Sequence, residues 1–79
     1  MILLLDLLVE VHNELTRAIS KHPKPLNEPF RACSVIVEEV GEFARAANDG
    51  KREDMRSEGI QIAAMALRAI LDLGLERDV

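Results

Sequence analysis

The chain has 79 residues, a single cysteine, no Trp or Tyr, two Phe, and ten Lys+Arg against fourteen Asp+Glu, a net charge of −4. That length holds one small domain, residues 1–79, whose core usually needs a metal, a disulfide or a partner chain beside it. Cys33 alone makes neither a disulfide nor a cysteine zinc site, which points to the cytoplasm. The acidic balance and scarce aromatics argue against a nucleic-acid footprint, and 48% apolar residues exclude a disordered chain.

In chain order, the apolar start Met1–Leu5 is cut short by Asp6 with no basic leader region or cleavage site, so no signal sequence is expected. No run approaches the ~20 apolar residues of a membrane span. From Leu3 to about Lys21, Leu4, Leu7, Leu8, Val11, Leu15, Ala18 and Ile19 fall within ~120° of a helix, opposite Asp6, Glu10, Asn13, Arg17 and Lys21. Leu5, Val9, His12 and Thr16 form a weaker strip beside them, and His12 at this boundary reads as packing. His22-Pro23-Lys24-Pro25 stops the helix, because proline lacks the amide donor and disfavours helix in the residue before it.

A second helix is expected to start between Asn27 and Pro29 with Asn27 as its N-cap. Its apolar face is Phe30, Cys33, Ile36, Val40, Phe43, Ala44 and Ala47, which makes Cys33 a buried thiol. Asn48-Asp49-Gly50 signals its end. A third helix runs from about Arg52 to Leu73, stopped by Gly74. Met55, Ile60, Ile62, Ala63, Ala64, Leu67, Ala69, Ile70, Leu71 and Leu73 cover more than half its circumference, more than two helices of one chain would bury. The fold expected is all-α: a three-helix chain with a central antiparallel helical hairpin, assembling into an oligomeric helical bundle. Gly41 and Gly59, each costing a helix up to ~1 kcal/mol relative to alanine, suggest close backbone approach where helices two and three meet.

The chemistry lies in Glu38-Glu39-Val40-Gly41-Glu42 and in Glu58 and Gln61 on the third helix. Glu38, Glu39 and Glu42 project within ~100° of one another, bordered by Val35 and Ala46 rather than by lysines. Glu38 and Glu42 are a like-charge i,i+4 pair, which costs a few tenths of a kcal/mol unless a cation offsets it. A turn near Gly50 would bring Glu58 and Gln61 level with Glu42 and Glu39. Oxygen ligands converging in this way suit Mg²⁺ or Mn²⁺.

These residues resemble the MazG-like all-α nucleoside triphosphate pyrophosphohydrolases, a superfamily that also holds dimeric dUTPases and phosphoribosyl-ATP pyrophosphohydrolase. Its signature is EExxE, a spacer, then ExxD. Here Glu38, Glu39 and Glu42 supply the first part, fifteen residues follow, and Glu58-Gly59-Ile60-Gln61 puts glutamine where the family has aspartate. The resemblance covers about half the chain. It implies Mg²⁺-dependent hydrolysis of a nucleoside triphosphate to a monophosphate and pyrophosphate, in a dimer or tetramer, as in house-cleaning of nucleotide pools. By position Glu39, Glu42 and Glu58 would be metal ligands, Glu38 a further ligand or the general base, and Gln61 would hold the last ligand position. Glutamine coordinates through a neutral carbonyl and cannot accept a proton, a charge that Asp54, one turn before Glu58, would restore. The alternative is a non-catalytic helical nucleotide-binding or protein-interaction module that has lost turnover. Arg45, Lys51, Arg52 and Arg56 around the turn, with Arg68 on the polar stripe, are the cations expected to meet a triphosphate; Arg68 could equally pair with Asp72 at i,i+4.

Overall fold

Local chemistry sets the helix boundaries. The computed structural model describes residues 3–75, so Met1, Ile2 and residues 76–79, the two ends of the expected 1–79 domain, lie outside it. Among the described residues there are three α-helices and no strand: α1 Leu4–Lys21, α2 Pro29–Asn48 and α3 Arg52–Asp72. None is long and apolar enough to cross a membrane. The Asp6 carboxylate accepts the Leu3 N–H at 3.2 Å at the start of α1. At the start of α2 the cap is Glu28, not the expected Asn27: its carboxylate accepts the N–H groups of Phe30 and Arg31 at 3.0 and 2.9 Å. The longer glutamate side chain reaches the first-turn donors from the residue next to Pro29. Gly50 (φ +67°) and Gly74 (φ +69°) take left-handed conformations after α2 and α3, as helix-ending glycines do.

Helix α3 is the common partner of the other two. Both α1 and α2 lie against it, and no Cα of α1 comes within 8 Å of a Cα of α2. One core cluster joins Val11 and Ala18 of α1 to Ala64 and Met65 of α3, with Leu15, Val35, Ile36, Ile60 and Ala63 packed around it. A second joins Leu26 of the linker, Ala32 of α2 and Ala69 of α3, with Leu73 beside them. Residues early in α2 therefore meet residues late in α3, while Glu42 near the end of α2 faces Glu58 near the start of α3.

The connection between α1 and α2 is fixed by Arg68, the one buried charged residue among those described. Its Nη2 donates to the carbonyls of His22 and Lys24 at 2.5 and 2.9 Å, and its Nη1 to that of Ala18 at 3.4 Å. Its Nε bonds Asp72 at 3.1 Å, and the same carboxylate oxygen accepts the Leu26 N–H at 2.8 Å. One arginine thus ties carbonyls of the end of α1 and of the linker together and carries a paired charge into the interior.

The face that α2 buries differs from the expected one. Ala32 and Ala46 are buried, and Val35, Ile36, Glu39 and Glu42 are half-buried. Phe30, Cys33, Val40, Phe43, Ala44 and Ala47 are exposed, Phe30 to 81%. At 100° per residue the helix is turned by roughly a quarter of a circle from its most apolar stripe. Ala32 packs with Ala69 of α3 and Ala46 is buried nearer the other end of α2; small side chains at these positions let α2 lie close to α3, whereas the phenylalanine stripe would hold it away. Cys33 is therefore an exposed thiol, not a buried one. On α1 the expected face is buried in part: Val11 and Ala18 are buried and Leu7 and Leu15 half-buried, while Leu4, Leu5, Leu8, Val9, His12 and Ile19 face outward, so His12 makes no packing boundary. Gly41 is also open: a Cβ there would meet nothing within 4 Å, and one on Gly59 would touch only Phe43 at an ordinary 3.8 Å. Within the chain, close backbone approach explains neither glycine.

Candidate acidic site and the cavity beside it

The quarter turn of α2 brings its carboxylates to face α3. Glu39 and Glu42 lie one turn apart on its inner face, with Glu58 opposite on α3. One oxygen from each lies within 4.8 Å of the other two. All three residues are half-buried, and one oxygen each of Glu39 and Glu58 is covered without any hydrogen-bond partner.

An uncompensated group of this kind resists ionisation. The Glu42 carboxyl is held above the ordinary glutamate range, first by proton sharing with Glu58, then by repulsion from Glu58, burial and repulsion from Glu38, against a small opposing pull from Arg45. Glu58 is likewise raised, first by burial and then by its hydrogen bond to Glu39, with repulsion from Glu39 and Asp54 adding to this; the hydrogen bond with Glu42 acts the other way. The cluster has more negative charge than its surroundings offset, and its donor set is all oxygen. Around an octahedral Mg²⁺ at about 2.0–2.1 Å, ligand oxygens stand roughly 3–4 Å apart. The oxygens of Glu39, Glu42 and Glu58, within 4.8 Å of one another, stand near that spacing, and an all-oxygen donor set is the kind a hard divalent cation takes.

The remaining candidates divide between two sides of the cluster. Glu38 and Gln61 line a cavity of about 340 Å³ with Glu39, between α1, the linker, α2 and α3. Arg45, Lys51 and Asp54 line a shallow depression on the other side with Glu42 and Glu58. Arg56 is separate from both groups of carboxylates: it grips Glu10 of α1 with two hydrogen bonds of 2.8 and 2.6 Å. Arg52 lines another depression beside Phe43 and Met55. Arg68 lines the cavity beside Glu38 and Glu39, with its donors given to Asp72 and to carbonyls of the end of α1 and the linker. Sequence reasoning passed over Lys21, Lys24 and Arg31, which line the cavity next to Glu38 and Glu39. Their one visible signal was position: they bracket the proline break that turns the chain back toward the acidic helix.

Compared with protein-family models, curated proteins and solved structures, the chain matches none.

Proposed function

We propose that the chain is a Mg²⁺-dependent nucleoside triphosphate pyrophosphohydrolase of the MazG-like type, releasing a nucleoside monophosphate and pyrophosphate. The observation that carries this reading is the meeting of Glu39, Glu42 and Glu58 from two helices, with two covered oxygens left unpartnered. A divalent cation held by these three would neutralise their charge and polarise a phosphoryl oxygen. Glu38, exposed beside Glu39 at the cavity, would take a proton from an attacking water. Gln61 would contribute a carbonyl oxygen, and Asp54, close enough to Glu58 to repel it, supplies charge that the glutamine lacks.

The assembly belongs to the same proposal. Helices α2 and α3 act as an antiparallel hairpin, as the pairing of Ala32 with Ala69 at one end and Glu42 with Glu58 at the other supports. The exposed surface is 5983 Å², about a quarter above the ~4800 Å² of a folded monomer of this mass. Val37, Val40 and Phe43 lie exposed along one side of α2, and Leu67, Ile70 and Leu71 are exposed on α3. We assign these surfaces to contacts between copies in a dimer or tetramer.

The test is pyrophosphate release from a panel of ribo- and deoxyribonucleoside triphosphates with Mg²⁺ and with Mn²⁺. Turnover is expected for the wild type, and Glu39→Gln is expected to lower it on the order of a hundredfold or more. Absence of turnover with either metal would replace the enzyme by the non-catalytic binding module, with Gln61 as the lesion.

A further inference from the structure

We propose that the cavity on the Glu38 and Glu39 side of the acidic cluster is a polyphosphate subsite, in which Lys21, Lys24 and Arg31 hold the phosphate tail of an anionic ligand. The chain is acidic overall, yet five of its ten cations, Arg17, Lys21, Lys24, Arg31 and Arg68, line this one cavity. Two of them are already committed, Arg17 to Glu14 at 2.6 Å and Arg68 to Asp72 at 3.1 Å. Lys21, Lys24 and Arg31 are exposed and have no carboxylate within 4 Å among the described residues. They come from three different places, the last residue of α1, the linker and the first turn of α2, and the fold gathers them at one opening.

The backbone that carries Lys24 is held before any ligand arrives. Lys24 stands between Pro23 and Pro25, whose rings lock their own backbone angles. Its carbonyl is tied to Arg68, and the next amide after Pro25, that of Leu26, is tied to Asp72. A linker ordered in advance loses less freedom when an anion binds.

Charge decides between the two sides of the acidic cluster. The depression with Arg45 and Lys51 sets two cations against four carboxylates, those of Glu42, Asp49, Asp54 and Glu58. In the linker-side cavity the Arg17–Glu14 and Arg68–Asp72 pairs are already neutral, which leaves Lys21, Lys24 and Arg31 against the carboxylates of Glu38 and Glu39. A polyanion is repelled from the first and attracted to the second. The volume of about 340 Å³ falls within the range of small-ligand sites. The subsite deepens the pyrophosphohydrolase reading, on which the identity of the anion as a substrate's triphosphate rests: the leaving diphosphate would lie on the linker side, beside Lys21, Lys24 and Arg31.

Calorimetric titration with inorganic tripolyphosphate, with and without Mg²⁺, tests this. The triple variant Lys21→Ala, Lys24→Ala, Arg31→Ala changes exposed side chains only, and its helicity checks that it folds. It is expected to bind tripolyphosphate at least about tenfold more weakly than wild type, while Arg45→Ala, Lys51→Ala changes affinity by less than about twofold. The reverse ranking, equal losses in both variants, or a wild type that binds no tripolyphosphate at millimolar concentration would each overturn the subsite. Nucleotide turnover separates the two proposals. Binding that depends on the three cations in a protein without turnover keeps the subsite and removes the enzyme; turnover with an unchanged KM in the triple variant does the opposite.

Discussion

At the scale of single residues, two pairs of glutamates make stability depend on pH in two separate windows. Glu42 and Glu58 titrate above the ordinary glutamate value of 4.5, so just above that value the folded chain binds more protons than the unfolded one. Stability there is present at low pH and lost as the pH rises through the folded values. Glu10 and Glu14 behave oppositely: hydrogen bonds from Arg56 and Arg17 hold them below 4.5, so their contribution is lost as the pH falls below that value. The metal-free protein is therefore expected to melt at higher temperature as the pH is lowered from about 7 towards 5, and at lower temperature again below about 4. Mg²⁺ should flatten the upper limb by keeping the carboxylates ionised, and Glu58→Gln should flatten it without metal. Melting curves in EDTA across this range decide; a midpoint that does not rise between pH 7 and 5 would mean Glu42 and Glu58 do not burden the fold. The carboxylates were legible in the sequence because EExxE spacing puts them on one helix face. Lys21, Lys24 and Arg31 were not, because they reach that face only through a linker fastened by Arg68, which lies 44 residues beyond Lys24 in the chain.

At the scale of elements, the linker and the turns carry the sharpest expectations. Removing the carboxylate of Asp72 leaves the buried Arg68 guanidinium without its counter-charge and the Leu26 N–H without a partner. Asp72→Ala is expected to cost about 3 kcal/mol in urea unfolding. A loss below about 1 kcal/mol would show that the pair behaves like a surface ion pair. Gly50→Ala forces a side chain into φ +67° and is expected to cost about 1–2 kcal/mol. Helix boundaries were readable because prolines and glycines act locally. The buried face of α2 was not: hydrophobicity alone picked the stripe of Phe30, Val40 and Phe43, whereas close packing on α3 selected Ala32 and Ala46.

For the whole molecule, the outward apolar stripe and the inward acidic face make assembly the expected state. The wild type should sediment at twice or four times 8.8 kDa, and Val40→Asp with Phe43→Asp should shift it towards the monomer with a lower melting point. A wild type that sediments as a monomer at micromolar concentration would remove the proposed contacts between copies. The surplus of apolar surface was readable from the wide arc of α3, but its location was not, since it depends on how α2 is turned.

One last consequence follows from α3 being the partner of both other helices. A chain leaving the ribosome presents α1 and α2 first, and neither has a surface to settle on until residues 52–72 emerge. Isolated helices of this length are marginal in water, so the first two-thirds of the protein would wait, partly melted and with its leucines bare, for the last third. A fragment ending at Gly50 is accordingly expected to show weak, non-cooperative helicity by circular dichroism; a sharp thermal transition in that fragment would mean the first two helices fold without the third.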